Sequence, residues 1–296
     1  MSGEGDYDVK RCAKCAAWIP SSATMCAYCN TTSPDEPLAR KSGTILSMRH
    51  GIGVTEILIV ANLVWFAFSL IVAAQRGIEG NPLQWALTGR GFLEGVWISG
   101  GNYRPSLVLE HEWWRLVSAN FLHFGLWHIA LNMFALRDLG RLAEQLLGPA
   151  KFLTVYLVSG IGCTLAMYAW AGFERVPGVG AGASGAICGL LGVLIVVLRR
   201  AGTRQGRDIA RSLGSSALMT LAIGVILPIG SSVGHAGGAL VGFVFGFFIR
   251  DGFVNRLAPH TWQRWRNVAV VLATVTVVCL VLAGRFAVTY QPGAPK

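Results

Sequence analysis

Charge is scarce in this chain. Only 14% of its 296 residues are Asp, Glu, Lys or Arg, whereas 53% are hydrophobic. That balance excludes an ordinary soluble domain and makes a membrane the expected solvent. Acidic residues are the rarer sign, 15 against 25 basic, for a net charge of +10. The basic residues are not gathered into one block interleaved with exposed aromatics, which argues against nucleic acid as a partner. They sit between apolar runs, where they orient a chain in a bilayer. The first fifty residues also lack an apolar stretch followed by a small-residue cleavage site, so the N-terminus is expected to stay in the cytosol.

Glycine is plentiful instead, with 37 residues, and in an apolar chain this points to helix backbones in close contact. From Gly53 onward apolar runs alternate with short polar connections, and a helix needs about 20 apolar residues to cross the hydrocarbon core. Seven candidate spans lie near 53–74, 117–136, 152–171, 180–198, 213–229, 234–249 and 267–284. The start of the second can belong to the preceding loop, with its helix continuing to about residue 147. The fifth and sixth are short and merge across Pro228-Ile229-Gly230, so a single broken span competes with two separate ones. With the N-terminus inside, seven spans place 18 of the 25 basic residues on the cytosolic side, which favours seven. The long first loop, 75–116, holds Trp85, Phe92, Trp97, Tyr103, Trp113 and Trp114 and is expected to lie partly in the outer headgroup layer.

Of the seven cysteines, Cys163, Cys188 and Cys279 are scattered through apolar segments and read as small core residues. The other four form Cys12-x2-Cys15 and Cys26-x2-Cys29, ten residues apart. Four thiolates at this spacing can close tetrahedrally around Zn2+, and so small a segment needs a metal or a staple to fold. Two disulfides are the alternative, disfavoured by a reducing cytosol. Residues 1–37 are therefore read as a zinc-ribbon-like segment with structural Zn2+ and its linker. Its expected role is docking a cytosolic protein partner or regulation, with nucleic-acid binding through it as the alternative.

The topology brings reactive groups to one depth. Ser184 falls near the outer end of the fourth span, His235 at the outer end of the sixth, and His128 and Asn132 towards the outer end of the second. Ionisable groups inside spans are costly and usually face a bundle interior or a water-filled cavity. His128 and Asn132, four apart, share one helical face. Gly185 and Gly189 on one helix, and Gly238 and Gly242 on another, form small-xxx-small faces that allow the backbones to meet. Such contact would bring a serine hydroxyl within reach of an imidazole base, with an amide, a second imidazole or a backbone N–H left to hold an oxyanion. Spacing leaves open which histidine reaches Ser184. Taken singly, Ser184 reads as a packing residue and His235 as a helix-end polar group; together, in their glycine frame, they read as a site. His111 and His123 are expected to be interfacial polar residues. Arg115 and Trp114 are expected to anchor the loop, and Glu144 to accept a structural hydrogen bond.

These motifs resemble those of the rhomboid intramembrane serine proteases. The matching residues are Trp114-Arg115 in the first loop, His128-x3-Asn132 on the second span, Gly182-x-Ser184-Gly185-x3-Gly189 on the fourth and His235-x2-Gly238-x3-Gly242 on the sixth. The resemblance covers about 51–250. It implies an all-α membrane fold with a six-helix catalytic core over 51–250 and, in a six-plus-one variant, a seventh transmembrane helix within 251–296. It chooses His235 as the base of a dyad that needs no metal or other cofactor, and it puts His128 and Asn132 at the oxyanion hole. It also implies transmembrane protein substrates cleaved near their outer ends, with the fifth span and the loop before His235 as a gate. One position departs from the family pattern: Cys188 stands four residues after the serine, where the family often has an aromatic that packs on the catalytic histidine. Two other readings remain at this stage. One is a non-proteolytic rhomboid-like protein that binds membrane clients; the other is a transporter using broken spans.

Overall fold

The computed structural model describes residues 9–11, 18–25, 52–78, 81–89, 91–170, 179–226, 232–249 and 259–291. The chain divides into two compact units, residues 1–51 with 251–263 and residues 52–250 with 264–296. In the first, β1 (Val9–Arg11) pairs antiparallel with β2 (Trp18–Pro20), Lys10 opposite Ile19. Cys12, Cys15, Cys26 and Cys29 lie outside the described residues.

The second unit is helical. Its first helix, α1 (Val54–Gln75), buries Thr55, Leu58, Asn62, Phe66, Ser69 and Val72 on one face and exposes Ile57, Val60, Val64 and Ile71 on the other. This is the reverse of a water-soluble helix. Polar side chains at seven-residue intervals point inward, where Asn62 Nδ2 bonds the Leu58 carbonyl and Ser69 Oγ that of Phe66; the outer face is apolar and suits hydrocarbon. Where water is absent, the free N–H groups at a helix start need partners. Glu144 supplies them from another helix, accepting from Val54 N at 2.9 Å, Thr55 N at 3.0 Å and Thr55 Oγ1 at 2.7 Å.

The first loop is folded. It carries α2 (Pro82–Thr88), α3 (Leu93–Ile98), β3 (Asn102–Tyr103), α4 (Arg104–Val108) and α5 (Arg115–Ser118). Trp85, Phe92, Val96, Ile98 and Leu107 are buried in protein. A large aromatic surface is satisfied equally by an interface or by a protein core; these residues have found a core, while Leu83, Leu93, Leu109 and Trp113 of the same segment stay exposed.

Next, α6 (Leu126–Ala135) continues through a wide π-type turn at Leu136–Gly140 into α7 (Arg141–Leu147). Gly148, with φ +83°, ends it, and α8 (Pro149–Trp170) runs back. A short strand, β4 (Val179–Gly180), pairs with β3, Asn102 opposite Gly180. Then come α9 (Ser184–Arg200), α10 (Arg204–Ile226), α11 (Ser232–Phe248) and α12 (Pro259–Thr289). Among the described residues three helices are long and apolar enough to cross a membrane by length and composition, Val54–Gln75, Pro149–Trp170 and Gln263–Thr289. Helix α11 is apolar but shorter.

Helix α9 is the buried axis of the unit, enclosed almost throughout from Gly185 to Leu198. Its glycines let α11 lie directly on it. A Cβ added at Gly238 would collide with the Gly185 carbonyl, and one at Gly242 with the Gly189 carbonyl. On the neighbouring face of α9, Cys163 and Ser159 of α8 press on Gly185 and Gly189. At the far end Arg200 donates to the carbonyls of Gly246 and Phe247 at 3.1 and 3.0 Å. Helices α9 and α11 are therefore parallel, starting together and ending together. In sequence, α10 lies between the end of one and the start of the other. The two outermost helices are parallel as well: Arg76, just past α1, donates to the carbonyls of Ala287, Val288 and Tyr290 at the end of α12.

Candidate active site

Ser184 is the first residue of α9, and the turn before it is set by Gly182. That glycine has φ +132°, in the region L side chains rarely adopt, and a Cβ there would meet His128 Cε1 at 2.9 Å and Nε2 at 3.0 Å. Only a residue without a side chain lets the His128 ring lie against the turn. The Gly182 N–H is held by the Ala119 carbonyl at 3.0 Å, which fixes the turn to the end of α5. The first i→i−4 bond of α9 runs from Ile187 N to Ala183 O. The N–H groups of Ser184, Gly185 and Ala186 thus precede the ladder, at the positive end of the helix dipole.

His235, in the first turn of α11, brings Nε2 to 2.8 Å from Ser184 Oγ. The glycine contacts between α9 and α11 place it there: the residues after each member of the pair lie backbone to backbone. If Nε2 accepts from the serine hydroxyl, Nδ1 carries the ring's own proton. Nδ1 is buried and has no protein hydrogen-bond partner among the described residues, so no carboxylate orients this ring. Cys188 is buried in the next turn of α9 as a free thiol, and no aromatic ring pairs with His235 among the described residues.

The other two predicted residues sit on α6. His128 Nδ1 faces the Phe124 N–H at 3.3 Å and Phe124 stacks on the ring, 5.7 Å between centroids and 10° between planes. With Nδ1 accepting, the neutral ring carries its proton on Nε2, on the side of the ring that lies against Gly182. Asn132, one turn on and buried, spends one amide hydrogen on the His128 carbonyl at 2.8 Å and keeps a second. Ser184, His235 and His128 are brought together; Asn132 is placed on the same face of α6 as His128.

Two residues differ from expectation. His123 is wholly buried, not interfacial, and its ring meets His128 edge-on at 5.0 Å. The signal available was its position five residues before His128, too far round a helix to be linked by periodicity because the chain between them turns at Gly125. Arg115 is an anchor, as expected, but a fully buried one. It bonds Glu112 at 2.7 Å and the carbonyls of Trp97 and Gly101 at 2.5 and 3.1 Å. Burial pulls its pKa below the ordinary value while the Glu112 charge opposes that shift, and the guanidinium stays charged.

The Rhomboid domain family matches residues 110–252, a span that contains Arg115, His128, Asn132, Ser184 and His235. The chain is 36% identical over 141 residues to the "Putative rhomboid protease YdcA" of Bacillus subtilis (strain 168), covering 46% of this chain and 69% of that protein. The chain belongs to the rhomboid family. It is also 34% identical over 146 residues to the "Rhomboid protease GluP" of the same organism and 34% over 190 residues to "RHOMBOID-like protein 1" of Arabidopsis thaliana. Those matches cover 49% and 60% of this chain but only 28% and 48% of the two relatives. Another rhomboid relative carries the name "Inactive RHOMBOID-like protein 8". Family and apolar helices together make this an integral membrane protein.

Proposed function

We propose that this rhomboid is an intramembrane serine endopeptidase in which Ser184 is the nucleophile and His235 its base. The observation that carries the reading is the 2.8 Å approach of His235 Nε2 to Ser184 Oγ. Serine is a weak nucleophile until a base takes its proton, and imidazole does so at neutral pH. Ser184 Oγ attacks the scissile carbonyl carbon as its proton passes to His235 Nε2. The oxyanion is held by His128 Nε2–H, by the free Asn132 amide hydrogen and by the N–H groups that open α9. The tetrahedral intermediate collapses to an acyl-serine as His235 returns the proton to the leaving amine; a water molecule, deprotonated by the same imidazole, then releases the acid and restores the hydroxyl.

The substrate is a transmembrane protein segment, cleaved near its outer end. A peptide bond inside a regular helix is shielded and hydrogen-bonded, so the segment unwinds as it enters, past α10 and the loop before His235. The topology is seven spans with the N-terminus in the cytosol, and the Ser184 end of the bundle faces outward. That parity is supported by the parallel pairs α1/α12 and α9/α11 and by the distribution of basic residues. Cys12, Cys15, Cys26 and Cys29 hold a structural Zn2+ in a cytosolic docking segment that takes no part in the chemistry.

A second reading, a client-binding rhomboid without proteolysis, draws on the unpartnered His235 Nδ1 and on the relative named inactive. A fluorophosphonate probe separates the two. The protease reading expects covalent labelling of purified protein, mapped to Ser184; a wild-type protein that stays unlabelled while correctly folded supports client binding instead.

A further inference from the structure

The proposed chemistry uses neither α12 nor the cluster at its C-terminal end, where half-buried aromatics surround the buried Arg115. There, Phe286 lies 5.0 Å from the Arg115 guanidinium and 5.8 and 6.2 Å from the rings of Trp114 and Trp97. Tyr290 lies 5.2 Å from Trp97. Ala283 and Ala287, one turn apart, are fully buried on the same face, and a Cβ at Gly100 would meet that of Ala283 at 3.0 Å. Arg76 fixes the height of this end by bonding three of its last carbonyls. Most of the rest of α12 is different: Val270, Val271, Val277, Val278 and Val281 are exposed. A helix otherwise given to lipid is tied tightly at one end to the folded first loop.

Two short connections lead from that tie to the nucleophile. In one, Arg115 bonds the Gly101 carbonyl, the next residue Asn102 pairs with Gly180, and Ser184 follows four residues later. In the other, Arg115 begins α5, whose end presents the Ala119 carbonyl that holds Gly182 N–H. Both routes start from Arg115, the first from its guanidinium and the second from its main chain; Phe286 covers that guanidinium, and a cation held between aromatic faces away from water is held firmly.

We propose that the C-terminal end of α12 is a brace for the nucleophile's turn, with Phe286 as its positioning residue: it locks Arg115, and through β3–β4 and α5 holds Gly182–Ser184 in register with His128 and His235. The consequence for catalysis rests on the protease reading, whereas the brace itself does not.

The test uses the full-length protein reconstituted in liposomes. Phe286→Ala is expected to lower both kcat on a transmembrane reporter and the rate of fluorophosphonate labelling by about fivefold, with KM nearly unchanged and Phe286→Tyr restoring both. Hydrogen exchange reads the brace without proteolysis: it should accelerate in Phe286→Ala across residues 179–184 while α9 and α11 keep their protection. Should Phe286→Ala fail to fold, Phe286→Leu decides, since it keeps apolar bulk without the aromatic face and is expected to show the same changes in smaller degree. Wild-type exchange over 179–184 overturns the proposal, as does a rise in KM alone. Protein that neither labels nor cleaves before mutation sinks the protease reading separately, and the exchange result still decides the brace.

Discussion

His235 Nε2 lies 2.8 Å from Ser184 Oγ, while Nδ1 of the same ring has no protein partner among the described residues. An imidazole held on one side only depends on the packing of its helix for orientation, and here that packing is glycine against glycine. The Ser184–His235 geometry and the α9–α11 interface are therefore one property of the structure.

The two histidines near Ser184 should fail differently. His235→Ala removes the base and is expected to abolish both reporter cleavage and fluorophosphonate labelling. His128→Ala removes one oxyanion donor, a loss of about 10²–10³ in kcat, and should leave slow labelling detectable. Parallel labelling time courses check this; equal residual rates would contradict the assigned roles.

The α9–α11 contact should tolerate no added atom. Gly238→Ala drives a methyl into the Gly185 carbonyl and is expected to cost about 1–3 kcal/mol in stability and most of the activity. Gly214→Ala on α10, where a Cβ meets nothing within 4 Å, is expected to be neutral or stabilising by up to about 1 kcal/mol. Thermal unfolding in detergent compares the two directly.

Glu144 stabilises the start of α1 from a distance. Glu144→Gln turns one accepting oxygen into an NH2 donor, so either Val54 N or the Thr55 N and Oγ1 pair loses its acceptor, and the change should destabilise by about 1–3 kcal/mol. Because the site lies at the other end of the bundle, kcat at a permissive temperature should stay near wild type. A lower melting temperature with unchanged kcat is the expected pair of results.

For the zinc segment, Cys26→Ser is expected to reduce the zinc content of purified protein from about one equivalent towards zero. Proteolysis of a reporter by the same sample should persist. Metal analysis beside the cleavage assay checks both, and a full zinc complement in the variant would contradict the ligand assignment.

Much of this was legible in the sequence, for identifiable reasons. Described helices lie at or near the seven apolar runs, because a long apolar stretch free of Pro favours a helix. The contacts of Gly185 with Gly238 and of Gly189 with Gly242 could be read as a spacing rule, since four residues return to the same face of a helix. The late start of α6, after Gly125, was left open because an apolar loop and an apolar helix start have the same hydropathy. Length and composition alone find three spans among the described helices, and α9 and α11 fall short at 17 residues each. The burial of His123 and the packing of Phe286 on Arg115 were not legible: both join segments that no local periodicity relates, and a large aromatic suits lipid, headgroup or protein equally well. The choice of His235 over His128 needed either the family resemblance or a distance.

The most direct test of the central claim is cleavage of a transmembrane reporter by purified full-length protein in liposomes, wild type beside Ser184→Ala. The account predicts that wild type yields two fragments cut near the outer end of the reporter's span and that Ser184→Ala yields none. Equal cleavage by the two proteins would contradict it.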